Sequence, residues 1–179
     1  MKFHLRPAIT KDCGSIERLI AASARTLGAV DYSLEQIESA LGSAFGLDTQ
    51  LIADQTYFMV ESGQLAVACG GWSFRETLFG NDAEQNRNPQ RIDPRTGAAK
   101  IRAFFVDPNY ARMGIGSMIM LHCEQEALRA GFRKLELMAT LPGIKLYEQH
   151  GFVAGEPVDY QLEQHLSIKF VPMYKKILP

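Results

Sequence analysis

The sequence predicts a mixed, mainly antiparallel α/β sheet with helices on both faces, in the order β-α-α-β-β-β-α-β-α-β-β. Three observations lead there. Apolar residues recur at helical spacing in several stretches that open at capping signals and close at glycines. Short runs rich in β-branched and aromatic residues lie between them. One helical stretch joins two such runs directly, which requires those two strands to lie parallel in a right-handed crossover. At 179 residues and 46% hydrophobic content, the chain suits a single domain spanning 1–179. That is long enough to bury roughly 70% of the surface its unfolded form exposes.

In order, Lys2 to Arg6 reads as a strand closed by Pro7. Thr10 offers a helix cap, and Ile16, Leu19, Ile20 and Leu27 give a first amphipathic helix. Ser33 with Gln36 three residues on reads as a capping box. Leu34, Ile37 and Leu41 are the expected buried stripe of the second helix, which stops before Gly42. Tyr57 to Val60 and Gln64 to Phe74 form a hairpin turned at Ser62-Gly63. Gly70-Gly71 inside its second strand signals a bulge or a close backbone approach, and Trp72 reads as core. Residues 75–99 are rich in Asn, Asp, Pro and Gly and read as a long loop, either a cover for a substrate site or surface decoration.

Lys100 to Val106 resumes as a strand, and a helix runs from Gly114 to Ala130 with Ile119, Met120, Cys123 and Ala127 on its packed face. Gly131 ends that helix as a left-handed cap. Phe132 to Ala139 is the next strand, with Leu135 and Leu137 on one face and Glu136 on the other. A short helix from Pro142 to His150, stopped by Gly151, and strands over Phe152 to Leu162 and Ser167 to Tyr174 complete the order.

The chemistry concentrates between the two parallel strands. In Asp107-Pro108-Asn109-Tyr110-Ala111-Arg112-Met113-Gly114-Ile115-Gly116-Ser117, Pro108 stops the ladder and the glycines bring backbone close to whatever lies beside it. A helix start carries unpaired N–H groups and a positive dipole end, so this loop suits a phosphate or pyrophosphate, with Arg112 adding charge. A tight turn whose glycines serve packing alone is the other reading. The loop is no nucleotide P-loop, because no Lys-Ser/Thr follows, and no dinucleotide fingerprint, because Ile119 stands at the third glycine.

Nineteen Lys and Arg against twenty Asp and Glu leave a net charge of −1, which gives no electrostatic reason to expect nucleic acid as a partner. Cys13, Cys69 and Cys123 lie far apart without a C-x-x-C pair, against a disulfide framework or a zinc site. No apolar run reaches the ~20 residues of a membrane span, and the N-terminal stretch lacks a signal-peptide core, so a soluble cytoplasmic protein is expected. His4, His122, His150 and His165 show no ligand spacing, and no metal is expected. The composition leaves a homodimer open.

At the glycine loop the chain resembles the GNAT N-acetyltransferase superfamily, whose acetyl-coenzyme A signature is Val-x-Pro followed by R/Q-x-x-G-x-G/A. Val106, Pro108, Gly114 and Gly116 match. The R/Q position falls on Ala111, with Arg112 one place later, as in a bacterial subgroup reading A-R-x-G-I-G. A second stretch, Gly143 to Phe152, resembles the family's A-x-x-F-Y-x-x-x-G-F block and keeps Tyr147, Gly151 and Phe152. The element order is also the family's, so the resemblance spans nearly the whole chain.

What the resemblance implies is acetyl transfer from acetyl-coenzyme A to a primary amine of a small molecule or peptide. The loop Ala111 to Ser117 (Ala111, Arg112, Met113, Gly114, Ile115, Gly116 and Ser117) would hold the cofactor phosphates, and the backbone of Phe105 and Val106 its pantetheine. Tyr147 would be the general acid, since the family's tyrosine at this place lies near the coenzyme sulfur and a phenol of pKa near ~10 matches a leaving thiolate. Some members carry a glutamate base on the strand before the signature; here that place falls on Lys100, leaving a water chain, a residue from elsewhere such as Asp54 or Glu136, or no base at all for an amine of low pKa. Protein lysine or N-terminal acetylation, and a non-catalytic acyl-coenzyme A sensor, are the alternatives.

Overall fold

The computed structural model describes residues 2–84 and 87–177. The described residues form one eight-stranded sheet with strands β1 (Phe3–Pro7), β2 (Tyr57–Ser62), β3 (Leu65–Ser73), β4 (Ala99–Val106), β5 (Lys134–Thr140), β6 (Val153–Ala154), β7 (Val158–Gln161) and β8 (Ser167–Lys176). The spatial order is β1-β2-β3-β4-β5-β8-β6, with β7 also on β8. Only β4 and β5 pair in parallel, as the crossover through helix α4 (Ile115–Arg129) demands. The predicted fold class therefore holds.

Two hydrophobic cores flank the sheet, and strand alternation sends side chains to both. On β2, Phe58 and Val60 join the core under α4 and α5 (Ile144–Gln149), with Trp72, Ile119, Cys123, Leu135 and Tyr147. Tyr57 and Met59 of the same strand join the opposite core under α1 (Cys13–Leu27) and α2 (Leu34–Leu41), with Ile16, Ile20, Ile37, Phe45 and Phe170. Trp72 is core, as expected, edge-on to Phe74 and Phe132.

Several local expectations are met and several are corrected. The capping box is present: Gln36 N–H donates to Ser33 Oγ at 3.2 Å, and Ser33 N–H donates to Gln36 Oε1 at 2.9 Å. Gly131 takes a φ of 96° after α4, as a left-handed cap does. Thr10, however, opens a 3-10 turn, and α1 begins only at Cys13, because Asp12 reaches back to accept the Ile9 N–H. Leu34 is exposed, and the buried stripe of α2 runs through Ile37 and Ala40.

A five-residue helix α3 (Thr49–Ala53), capped by Asp48, precedes β2; it is too short to show a period. The single strand expected over Phe152 to Leu162 is two, β6 and β7, divided at Gly155-Glu156-Pro157 and both paired to β8.

Candidate active site

The site begins with a parting of two strands. β4 and β5 pair only at Ala99↔Leu135 and Lys100↔Glu136. Beyond that point each keeps its outer neighbour, β4 with β3 as far as Val106 and β5 with β8 as far as Thr140, so the seam between them opens.

A bulge on β4 accompanies the opening. Cys69 faces Phe105 and Gly71 faces Arg102, so Gly70 stands opposite two residues, Ala103 and Phe104. Ala103 sits at φ 53°, a region that costs a non-glycine residue of order 1–2 kcal/mol. Its carbonyl accepts the buried Tyr57 hydroxyl at 2.9 Å, which helps hold it there. The bulge expected from Gly70-Gly71 exists, with its extra residue on the partner strand. A Cβ on Gly70 would meet the Phe104 ring at 2.7 Å, and one on Gly71 would meet Thr56 O at 2.4 Å.

The parted strands frame a cavity of about 830 Å³ that draws its lining from both cores, so it passes through the sheet. At one end lies the glycine loop. Gly114 is the N-cap of α4 at φ 80°, and no side chain caps the helix, so its first N–H groups face the cavity end without an intrahelical acceptor. Arg112, at φ 63°, and Lys145 of α5 line this end, and neither enters an ion pair among the described residues. The two glycines differ in purpose. Gly114 has open space where a Cβ would go and is needed for its backbone angle, whereas a Cβ on Gly116 would meet Leu146 Cδ2 at 3.0 Å, so Gly116 lets α4 and α5 approach.

Tyr147 lies in the cavity wall, 8% exposed, its ring edge-on to Phe104 and Phe152. Its hydroxyl has no hydrogen-bond partner among the described residues. Burial, with a smaller contribution from Cys123, raises its pKa well above the ordinary tyrosine value, so the phenol stays protonated.

The opposite end, on the α1 and α2 side, is aromatic. Phe45, Phe79, Phe105 and Phe170 line it in edge-to-face or tilted pairs with centroids 5.6–6.1 Å apart. Tyr32 is held by donating to Lys169 O at 2.7 Å and accepting the Leu141 N–H at 2.8 Å, and burial raises its pKa to about 12. Asp31, exposed at the rim, is the one carboxylate among the described lining residues.

The segment 75–99 builds part of this end through Leu78, Phe79 and Gly80. A charged clamp pins it. Buried Arg102 donates to Thr77 O, Gly80 O and Asp48 Oδ2 at 2.8–2.9 Å, and Arg87 bridges Asp48 and Asp82. Arg75 forks onto Asp54 at 2.6 and 2.7 Å.

The candidate bases are occupied elsewhere. Asp54 is taken by Arg75, and Glu136 contacts Lys100, whose pKa is lowered by burial; none of these three lines the cavity. The four histidines also lie off it, and among the described residues no group of three or more His, Cys, Asp or Glu is placed to hold a metal ion. No helix among the described residues is long and apolar enough to cross a membrane.

Residues 30–152 match the family model described as "Acetyltransferase (GNAT) family". The chain belongs to the GNAT acetyltransferase family. Its enzymes are acyltransferases that use acetyl-coenzyme A. Solved structures share the fold along almost the full length. A GCN5-related N-acetyltransferase from Rhodopseudomonas palustris has a TM-score of 0.70 at 18% identity, covering 99% of this chain and 97% of that one. The PaiA N-acetyltransferase of Thermoplasma acidophilum, solved with coenzyme A, gives 0.65 at 15% identity, covering 99% and 100%. The ribosomal-protein-S18-alanine N-acetyltransferase of Escherichia coli gives 0.62 at 16%, covering 98% and 94%. By sequence, no curated protein matches significantly.

Of the residues singled out from the GNAT resemblance, Phe105, Val106, Ala111, Arg112, Gly114, Ile115, Gly116, Ser117 and Tyr147 all line the one cavity. Met113 does not, and is 46% exposed. The Val106 amide already donates to Ser23 Oγ, at a long 3.3 Å. Lys145, Asp31, Tyr32, Phe45, Phe79 and Phe170 were missed. Lys145 stands two residues from Tyr147 and could have been read as a companion charge to Arg112; the aromatic wall comes from four separated segments with no common motif.

Proposed function

We propose that this protein transfers an acetyl group from acetyl-coenzyme A to the primary amine of a small molecule at the 830 Å³ cavity, with Tyr147 as general acid. The observation that carries the reading is the cavity's polarity: one passage runs from an uncapped helix start flanked by Arg112 and Lys145, past a phenol held neutral, to an aromatic chamber with a lone rim carboxylate.

The residues present fit coenzyme A. The α4 N-terminus and the Ala111 to Ser117 loop would receive its phosphates, since helix-start amides and a positive dipole end favour anions there. The inner edge of β4 around Phe105 and Val106, beyond the end of the β4–β5 ladder, would receive the amides of its pantetheine arm, with the Val106 N–H exchanging its long bond to Ser23 Oγ for one to the arm. When bound, acetyl-coenzyme A supplies an acyl thioester whose C–S bond breaks as a C–N bond to the amine forms.

The chain supplies the rest. Tyr147 holds a proton at Oη for the departing sulfur, and its raised pKa keeps that proton in place at neutral pH. The bulge at Ala103 and Phe104 turns backbone groups away from the β3 ladder beside the passage, where they can orient the reacting carbonyl. Among the described residues no buried carboxylate lines the chamber, so the ammonium proton leaves to water through the rim at Asp31. Leu78 to Gly80 wall the acceptor end, which favours a small amine over an extended peptide.

Two measurements test this. Acetyl-coenzyme A should stabilise the fold by about 2.7 kcal/mol at a hundredfold excess over its Kd. A thiol-release screen over amines, amino acids and peptides should then find turnover. Binding without release from any amine would support the sensor alternative instead.

A further inference from the structure

We propose that the acceptor is an amine carried on a large apolar body, of the arylalkylamine class, and that compact polar amines and carboxylate-bearing amines are poor substrates. The inference rests on the acetyl-transfer reading and names its substrate class.

The chamber's walls are four phenylalanines. Phe45 and Phe170 are buried at 5% and 3% exposure, and Phe79 stands between Phe170 and Tyr160 with ring centroids at 5.6 and 5.0 Å. At these spacings the rings already pack edge-to-face or tilted against one another, so the walls are fixed before any ligand arrives and present apolar edges and faces to it. Tyr160 in turn donates its hydroxyl to Glu84, which ties the outer side of this wall to the 75–99 segment.

The cation and the phenol at this end are spent. Arg102 uses its guanidinium on Asp48 and two loop carbonyls, and the Tyr32 hydroxyl both donates and accepts within the protein. An acceptor carboxylate would find no free cation at this end among the described residues, whereas an aromatic body loses nothing by leaving water.

Charge points the same way. Arg112 and Lys145 lie at the α4 and α5 end, and Asp31, the one carboxylate among the described lining residues, sits at the other. A cationic amine is therefore drawn to the rim of the aromatic chamber, and an acceptor carboxylate is repelled there.

The test uses thiol release at saturating acetyl-coenzyme A with four amines: 2-phenylethylamine, ethylamine, phenylalanine and glutamate. The expected kcat/KM for 2-phenylethylamine exceeds that for ethylamine by about 10²-fold, the scale of apolar-pocket discrimination over several carbons, and exceeds that for phenylalanine by about tenfold. Phe79→Ala should collapse the preference for 2-phenylethylamine over ethylamine towards unity, read as a ratio so that a general loss of stability cancels. Asp31→Lys, at an exposed rim position, should narrow the gap between 2-phenylethylamine and phenylalanine. Ethylamine or glutamate turned over as well as 2-phenylethylamine would overturn this inference and leave the transfer reading standing. No release from any amine, while acetyl-coenzyme A still raises the Tm, would overturn both.

Discussion

Replacing Tyr147 by phenylalanine removes one oxygen from the cavity wall and leaves the ring against Phe104 and Phe152. Because the hydroxyl bonds to nothing among the described residues, its loss strands no partner, and the fold should change Tm by less than about 2 °C. Acetyl-coenzyme A binding should be preserved, since the proposed phosphate and pantetheine contacts lie on α4 and β4. Loss of a positioned proton donor should lower kcat by about 10²-fold, equivalent to ~2.7 kcal/mol of barrier. Thiol release gives kcat, and the KM for acetyl-coenzyme A serves as the control. The pH profile adds a sign. Burial raises the pKa of this phenol in the folded state, so the acid form persists and kcat should show no alkaline fall up to about pH 10. The stability linked to the protonated phenol is likewise intact below that pH and lost only above it. A Tyr147→Phe enzyme turning over within a few-fold of the parent would show that the ring packs and water protonates the sulfur.

Three other outcomes are expected. Gly114→Ala places a Cβ at φ 80°, costing of order 1–2 kcal/mol, and should weaken acetyl-coenzyme A binding measured by calorimetry; unchanged affinity would put the phosphates elsewhere. Arg102→Leu leaves buried Asp48 with Arg87 alone and should destabilise by about 3–5 kcal/mol, read as a fall in Tm of about 6–20 °C, with a raised KM for the amine because the Thr77 to Gly80 wall is released. With no buried carboxylate or histidine among the described lining residues, the rising limb of kcat/KM with pH should follow the pKa of whichever amine is supplied; a limb fixed near one pH across amines of different pKa would reveal a titrating enzyme group.

The outline of the fold was legible because its long elements carry strong local signals. The Ser33–Gln36 box, the Gly131 cap and the Gly70-Gly71 pair each name a backbone geometry that the structure contains. The glycine loop and Tyr147, far apart in sequence, came together through the resemblance, and the parallel crossover explains why: it puts the loop after β4 and the helix after β5 at the same end of the sheet. What stayed hidden depends on long-range contact. Short α3 shows no period, Leu34 faces water despite its side chain, and the clamp joining Asp48 to Arg87 and Arg102 spans more than fifty residues at its widest. The 75–99 segment read as loop because its order comes from charges on other elements, not from its own pattern.

A crystal structure with coenzyme A and a slow amine would locate the transfer site in this protein outright. The pyrophosphate is expected on the amides of the Gly114 to Ser117 turn, the thiol within hydrogen-bond reach of Tyr147 Oη, about 3 Å, and the amine's apolar body against Phe79 and Phe170. Coenzyme A bound away from the seam between β4 and β5, or a thiol on the far side of the sheet from Tyr147, would contradict this placement.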